Sequence, residues 1–396
     1  MSQTKDWCFV LCKLVVCVAV VALVACSTSS PATGSDASTE GAGSLKSLPR
    51  VATGDAPGAS PKALAMNKRL GRGINLGNVY EAPINGAWGL SFQKTPELTK
   101  VAKNLGFAHV RMPVRWSNHA MVRPPFTINP AFMAQVKSSV DGFIAQGQIV
   151  VLNVHHYRQL DGDTLDNGEA AVPSELVDVR FVMLWQQIAQ AFKDYSNDQL
   201  VFELYNEPHG RMQTGQTPSG NSDAWNNLMA HAMAQVRATN PERIVIVGPT
   251  HWNNAYWLDQ LRLPNDPHMI VTVHQYEPFN FTHQGSEWVS PRKPTGQTCC
   301  SDSQKRQIIG ILNKAQTWSQ KHKYPIYVGE FGAYAHNNHS EEVTTQRVNF
   351  NAFMREEMER RDMSWAYWEL ASGFGIYDLA AGKTREPLWR SLIPAQ

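Results

Sequence analysis

Outside its first 26 residues the chain has only two of its six cysteines, the adjacent Cys299 and Cys300. Neighbouring cysteines bridge only with a distorted backbone, so no disulfide framework is expected. A vicinal bridge and a pair of free thiols both stand open. Charge of one sign is also missing: Lys plus Arg number 36 against 34 for Asp plus Glu. That balance leaves no basic field of the kind that holds nucleic acid. The apolar stretch Leu14 to Ala25 is too short to span a bilayer as an ordinary helix. No Gly-rich phosphate loop follows the first strand-like run, because Gly71-Arg72-Gly73 precedes it and opens no helix, which argues against an open doubly wound sheet. There is no internal repeat. Residues 27–62 are poor in large apolar side chains and rich in Ser, Thr, Gly, Ala and Pro. Such a segment cannot bury enough surface to order itself and reads as a disordered linker or pro-segment. The folded domain is expected to start near Ala63 and run to residue 396.

The leader has a meaning of its own. Lys13 precedes Leu14 to Ala25, which has the length of a signal-peptide core. It ends in Leu23-Val24-Ala25-Cys26, followed by Ser-Thr-Ser-Ser, and this resembles the lipobox of bacterial lipoproteins. The resemblance implies a signal peptide over 1–26, with Cys26 lipidated, a new N-terminus and a membrane anchor. The alternative is an ordinary secretory signal that contains Cys26. Either reading exports the mature protein to the extracellular side, by way of an outer-membrane lipoprotein form in the first case.

Aromatics are present in quantity, with 12 Trp and 11 Tyr. Most are expected to be packing bulk, while flat rings at a cleft suit the apolar faces of sugars. Short apolar runs alternate with helix-like stretches along the chain. The runs are Gly73–Asn78, Phe107–Val114, Ile149–His155, Leu200–Asn206, Ile244–Gly248, Met269–Tyr276, Ile326–Gly329 and Ser364–Trp368. Pro96 and Pro130 suit helix N1 positions, and the connections after the fifth and eighth runs look shorter. Eight strands alternating with helices predict an α/β fold, a single (β/α)8 TIM barrel.

Function in such a barrel collects at the C-terminal strand ends. Two of the runs end alike, in Leu204-Tyr205-Asn206-Glu207-Pro208 and in Val328-Gly329-Glu330-Phe331-Gly332. An acid at the end of a buried strand is an odd place for a surface charge, and a pair of such carboxylates is the minimum equipment for glycoside hydrolysis. Arg111, His155, Asn206, His274, Tyr276 and Trp368 occupy corresponding positions on other strands.

Asn206-Glu207-Pro208 and Gly329-Glu330-Phe331-Gly332, together with Val110-Arg111-Met112-Pro113, His155, Val273-His274-Gln275-Tyr276 and Ser364-Trp365-Ala366-Tyr367-Trp368, resemble glycoside hydrolase family 5, the family of many bacterial endoglucanases. The resemblance covers the chain from about Leu64 onward. It implies that Glu207 is the acid/base and Glu330 the nucleophile of a retaining β-1,4-glucanase, with neither metal nor cofactor. Arg111 is the cation expected to keep Glu330 ionised, and Tyr276 a second partner for the same carboxylate. Asn206 suits the sugar 2-hydroxyl, His155 and His274 a sugar or carboxylate, and Trp368 the platform under the sugar at the cleavage point. The family often has Asp where this chain has Asn153, which is read as a change behind the substrate-contacting residues. Glu203, inside the barrel, is read as structural.

Trp116, Tyr157, Trp252 and Trp288 lie near segments after strands and are candidate sugar-stacking rings, each as open to plain packing. The segment Phe279–Cys300 reads as a long rim loop. No carbohydrate-binding module follows the barrel in this sequence, which favours soluble or amorphous β-glucan over crystalline cellulose, cut by a monomer. Rival readings are a β-mannanase or xyloglucanase of the same family, which would differ only in loop contacts, and a non-catalytic carbohydrate-binding surface lipoprotein. A metal-dependent hydrolase would lean on His155–His156, an adjacent pair expected to point to opposite faces.

Overall fold

The computed structural model describes residues 56–210, 218–336 and 340–395. The leader, Cys26 and most of the 27–62 segment lie outside the described residues. Eight strands close into one barrel in sequence order, every neighbouring pair parallel. They are β1 (Arg72–Asn75), β2 (His109–Met112), β3 (Ile149–Asn153), β4 (Leu200–Glu203), β5 (Val245–Val247), β6 (Met269–His274), β7 (Ile326–Glu330) and β8 (Ser364–Tyr367). The TIM barrel read from the sequence is thus the observed fold. Its ladders are shorter than the apolar runs because several runs continue past the last strand residue as extended rim.

Helices cover the outside, several of them opened by a side-chain cap. Asn129 accepts from the backbone of Ala131 and Phe132 ahead of Pro130–Ala145, and Ser301 with Gln304 forms a capping box before Asp302–His322. The connection from β5 to β6 carries only short helical turns. At the other end, α1 (Pro61–Leu70), capped by Ser60, begins slightly before the boundary read from the sequence. Its Ala63, Met66 and Leu70 close the barrel floor against Ile149, Val151, Val201, Ile246, Ile270 and Tyr327. The residues between them in sequence, such as Val150, Leu152, Phe202 and Val271, pack outward into the helix layer, as strand alternation demands. Continuing the inward set upward from Ile149 and Val151 leads to Asn153, and from Val201 to Glu203. The lumen therefore turns from apolar at its floor to polar at its mouth.

Cys299 and Cys300 are placed as a vicinal disulfide, one of the two states left open.

Candidate active site

The centre of the mouth is Arg111, fully buried on β2. A guanidinium offers five N–H donors in a fixed fork, and all five are used. Nε and Nη2 donate to the two oxygens of Glu203 (2.6 and 3.1 Å). Nη1 donates to Asn75 Oδ1 (2.9 Å) and Glu330 Oε1 (2.7 Å). Nη2 also donates to Asn206 Oδ1 (2.7 Å). Burial alone would lower the Arg111 pKa, but the charges of Glu203 and Glu330 outweigh it and raise it. Because Arg111 takes Asn206 Oδ1, the Asn206 amide is turned so that its NH2 group is the one left for a partner above. Asn153 braces the same group from β3, donating to Glu203 Oε2 (3.1 Å) and contacting His155 Nδ1 (3.2 Å).

Glu330 reaches this centre through a local irregularity. Thr272 and Val273 of β6 pair with Tyr327 and Val328, and the register then shifts so that His274 pairs with Glu330. Gly329 is the extra residue. The bulge re-aims the next side chain, and the Glu330 carboxylate swings inward beside Arg111. A Cβ on residue 329 would lie 2.8 Å from Thr272 Oγ1 and 2.9 Å from His274 Nε2, so the bulge requires glycine. The second Glu330 oxygen accepts from the Tyr276 hydroxyl (3.0 Å). Burial raises the Glu330 pKa, against the opposing charge of Arg111.

Glu207 is not at the end of a strand as the sequence suggested. The β4 ladder stops at Glu203, and Leu204–Asn206 continue as extended rim, with Leu204 donating to Ile246 and Asn206 to Val154. The Glu207 side chain is 22% exposed, against 7% for Glu330, so it is the more open of the two. Burial pushes its pKa up to about 7, against the opposing charges of His209 and Arg111.

His274 Nδ1 lies 2.6 Å from Glu207 Oε1. Burial brings the His274 pKa down to about 4, leaving a neutral ring with one proton. Asn253 donates from Nδ2 to the Asn206 carbonyl and faces His274 Nε2 at 3.3 Å. That arrangement makes Nε2 the acceptor and puts the proton on Nδ1, aimed at Glu207. Sequence reading missed Asn253. Its only signal was its place just after β5, and its backbone conformation (φ 56°) is a tertiary fact. It also missed Asn75, which ends β1.

His155 Nε2 stands 4.0 Å from Glu330 Oε1, and its ring lies parallel to Trp368 at 5.5 Å. Trp288 and Trp252 are 58% and 51% exposed on the rim. Trp116 and Tyr157 are corrections: both are buried, at 0% and 1% exposure. Trp116 packs edge-on against Phe132 and donates to the Asn153 carbonyl. Tyr157 lies under the Arg180 guanidinium. Neither can stack a sugar. Their short distance from a strand end concealed that both side chains are buried.

A cation-held carboxylate facing a more open one, whose pKa burial raises to about 7, at the C-terminal mouth of a (β/α)8 barrel is the working centre of a glycoside hydrolase. Comparison narrows the class. The cellulase (glycosyl hydrolase family 5) description matches residues 71–373, and the chain belongs to that family. It is 33% identical over 320 residues to endoglucanase H of Acetivibrio thermocellus, covering 80% of this chain but 32% of that protein. The chain thus spans about a third of the length of that curated relative. Cel5A of Thermotoga maritima, solved with cellobiose, is 39% identical with a TM-score of 0.74, covering 83% of this chain and 99% of that one. The same protein solved with mannotriose gives 38% and 0.74, covering 83% and 99%.

Proposed function

We propose that the chain is a retaining endo-β-1,4-glucanase, with Glu330 as nucleophile and Glu207 as acid/base. One observation carries the reading: oxygens of Glu207 and Glu330 and a nitrogen of His274 all lie within 4.8 Å of one another. Retaining enzymes hold their carboxyls about 5–5.5 Å apart, whereas inverting enzymes leave roughly 6.5–9.5 Å for a water. Glu330 attacks the anomeric carbon, the glycosidic C–O bond breaks, and the leaving oxygen takes the Glu207 proton. Esterified, Glu330 is no longer an anion. Glu207 then removes a proton from water, which attacks the same carbon and restores the β-configured product and both carboxyls. Glucan as substrate is supported by the family and its endoglucanase relatives. Mannan is a second reading, favoured by the mannotriose complex of Cel5A.

The test is reducing-end release from soluble cellulose, mannan, xyloglucan and xylan, with wild type beside Glu330→Gln, and with product anomers followed by NMR. The expected result is activity on cellulose, β-anomer formed first, and at least a roughly 1,000-fold loss in the variant, as for removal of a covalent nucleophile. Activity on mannan alone would move the substrate and keep the mechanism. The α-anomer forming first would overturn retention.

A further inference from the structure

His209 follows Glu207 by two residues, and three rim segments meet on its ring. From its own segment, Nδ1 lies 2.6 Å from the Glu207 carbonyl oxygen. From the segment after β3, Asp163 Oδ2 lies 3.4 Å from Nε2 and Asp161 Oδ1 lies 3.8 Å from Nδ1. From the segment after β5, Trp252 stacks parallel on it, centroids 4.7 Å apart and planes 13° apart. Both ring nitrogens thus face oxygens that can only accept, so both carry protons and the ring is a cation. The pKa agrees: burial lowers it, but Asp161 and Asp163 outweigh this and raise it to about 9.

The surroundings fix this ring in place. Residue 210 must be glycine, because a Cβ there would fall 2.2 Å from the Asp161 Cα. Tyr205, on the segment carrying Glu207, donates to Asp161. The other charged or titratable groups around the cluster are Arg158, paired with Asp163 at 3.0 Å, His156, whose neutral ring feels the His209 charge, and Glu207 itself. Residues 251–253 all hold positive φ (60°, 58° and 56°), a conformation costing about 1–2 kcal/mol per non-glycine residue. That turn sends Trp252 outward over His209 and Asn253 inward beneath His274.

We infer that His209 is a positioning residue for the acid/base glutamate, holding the Glu207 segment by its carbonyl and carrying Trp252 as a stacking platform for the leaving-group sugar. The side follows from the geometry. With the sugar under attack held at Glu330 and its leaving oxygen at Glu207, the next sugar extends over the segments flanking Glu207. The inference rests on the acid/base reading of Glu207. The His209 charge also opposes the burial that raises the Glu207 pKa, so its removal lets Glu207 hold its proton to higher pH.

The experiment compares kcat/KM for cellotetraose and for dinitrophenyl β-cellobioside, whose leaving group needs no proton, across pH in wild type, His209→Gln, Trp252→Ala and Glu207→Ala. His209→Gln should lose about tenfold or more on cellotetraose and far less on the aryl glycoside, with the basic limb moved to higher pH. Trp252→Ala should weaken cellotetraose alone, through KM, with the limb unmoved. Equal losses on both substrates with an unmoved limb in His209→Gln would reduce His209 to a structural residue and overturn the inference. Equal losses in Glu207→Ala would overturn the acid assignment, and the inference with it. Imidazole 15N NMR of the wild type decides independently of any variant's folding: a doubly protonated His209 at pH 7 is expected, and a neutral ring overturns the proposal.

Discussion

At the scale of single residues, the centre is organised by one guanidinium. Arg111 matches five donors to five contacts on four side chains, three of them on other strands and one on the rim beyond β4. Lysine would keep the charge but offer a single point in place of the fork. Arg111→Lys should therefore leave Glu203 and Asn206 short of partners and cost about 3 kcal/mol of stability, in the range for breaking a buried pair. With the charge drawn back from Glu330, the pKa of that carboxyl rises, and the acidic limb of kcat/KM should move to higher pH. Urea denaturation and a pH–rate profile check the two halves; an unmoved acidic limb would remove Arg111 from control of Glu330. The motifs made Arg111, Glu203, Glu207 and Glu330 legible from the sequence because each sits in or just after a short apolar run. Asn253 was not legible, since its role depends on three consecutive left-handed residues that no local pattern announces.

At the scale of elements, the β6–β7 bulge decides where the Glu330 carboxylate points. Strict alternation from Tyr327, which packs into the lumen, would turn residue 330 away from it. The extra residue Gly329 corrects the phase. Gly329→Ala would push its new methyl against Thr272 and His274. Overpacking of this kind costs about 1–3 kcal/mol, and displacement of His274 should lower kcat on cellulose about tenfold or more, because small misplacements near the chemistry carry penalties of that order. Thermal melting and steady-state kinetics would show both effects, and unchanged kcat would mean that the bulge does not aim the pair. The eight strands were visible as apolar runs bounded by turns. Their ends were not, because a run continues onto the rim while the ladder stops. The same blindness made Trp116 and Tyr157 look like cleft residues.

Across the whole molecule, buried titratable groups set how stability follows pH. Burial raises Glu81 to about 8, Glu369 and Glu207 to about 7 and Asp161 to about 6. Glu81 and Glu369 also collect loop amides: those of Asn78 and Val79, and those of Ala371, Ser372 and Phe374. The folded state holds protons on these acids that the unfolded chain releases above its ordinary carboxylate range, so their contribution falls as pH rises through 6 to 8. His109, His119, His274 and His283 are lowered to about 4 by burial. They work oppositely, costing stability as pH drops below 6.5, where the unfolded chain takes protons the folded state refuses. His209, raised to about 9, loses its contribution as pH rises through 9. The Tm should therefore peak between about pH 4.5 and 6.5 and fall steadily toward pH 9. Glu81→Gln, which keeps the shape without the charge, should flatten that alkaline fall in a melting series. An alkaline slope as steep as wild type would exclude Glu81 as a source.

The sequence by itself determined the barrel and the family, and it singled out the two carboxylates that meet at the mouth. Those features depend on hydrophobic periodicity and on short motifs whose residues share one strand or turn. Only the tertiary structure decided which way each carboxylate faces, how the Arg111 donors are shared and which aromatics reach the surface. It also brought His209 between Asp161, Asp163 and Trp252. These contacts join residues far apart in the chain, and closure of the barrel, the register shift at Gly329 and the left-handed turn at 251–253 bring them together.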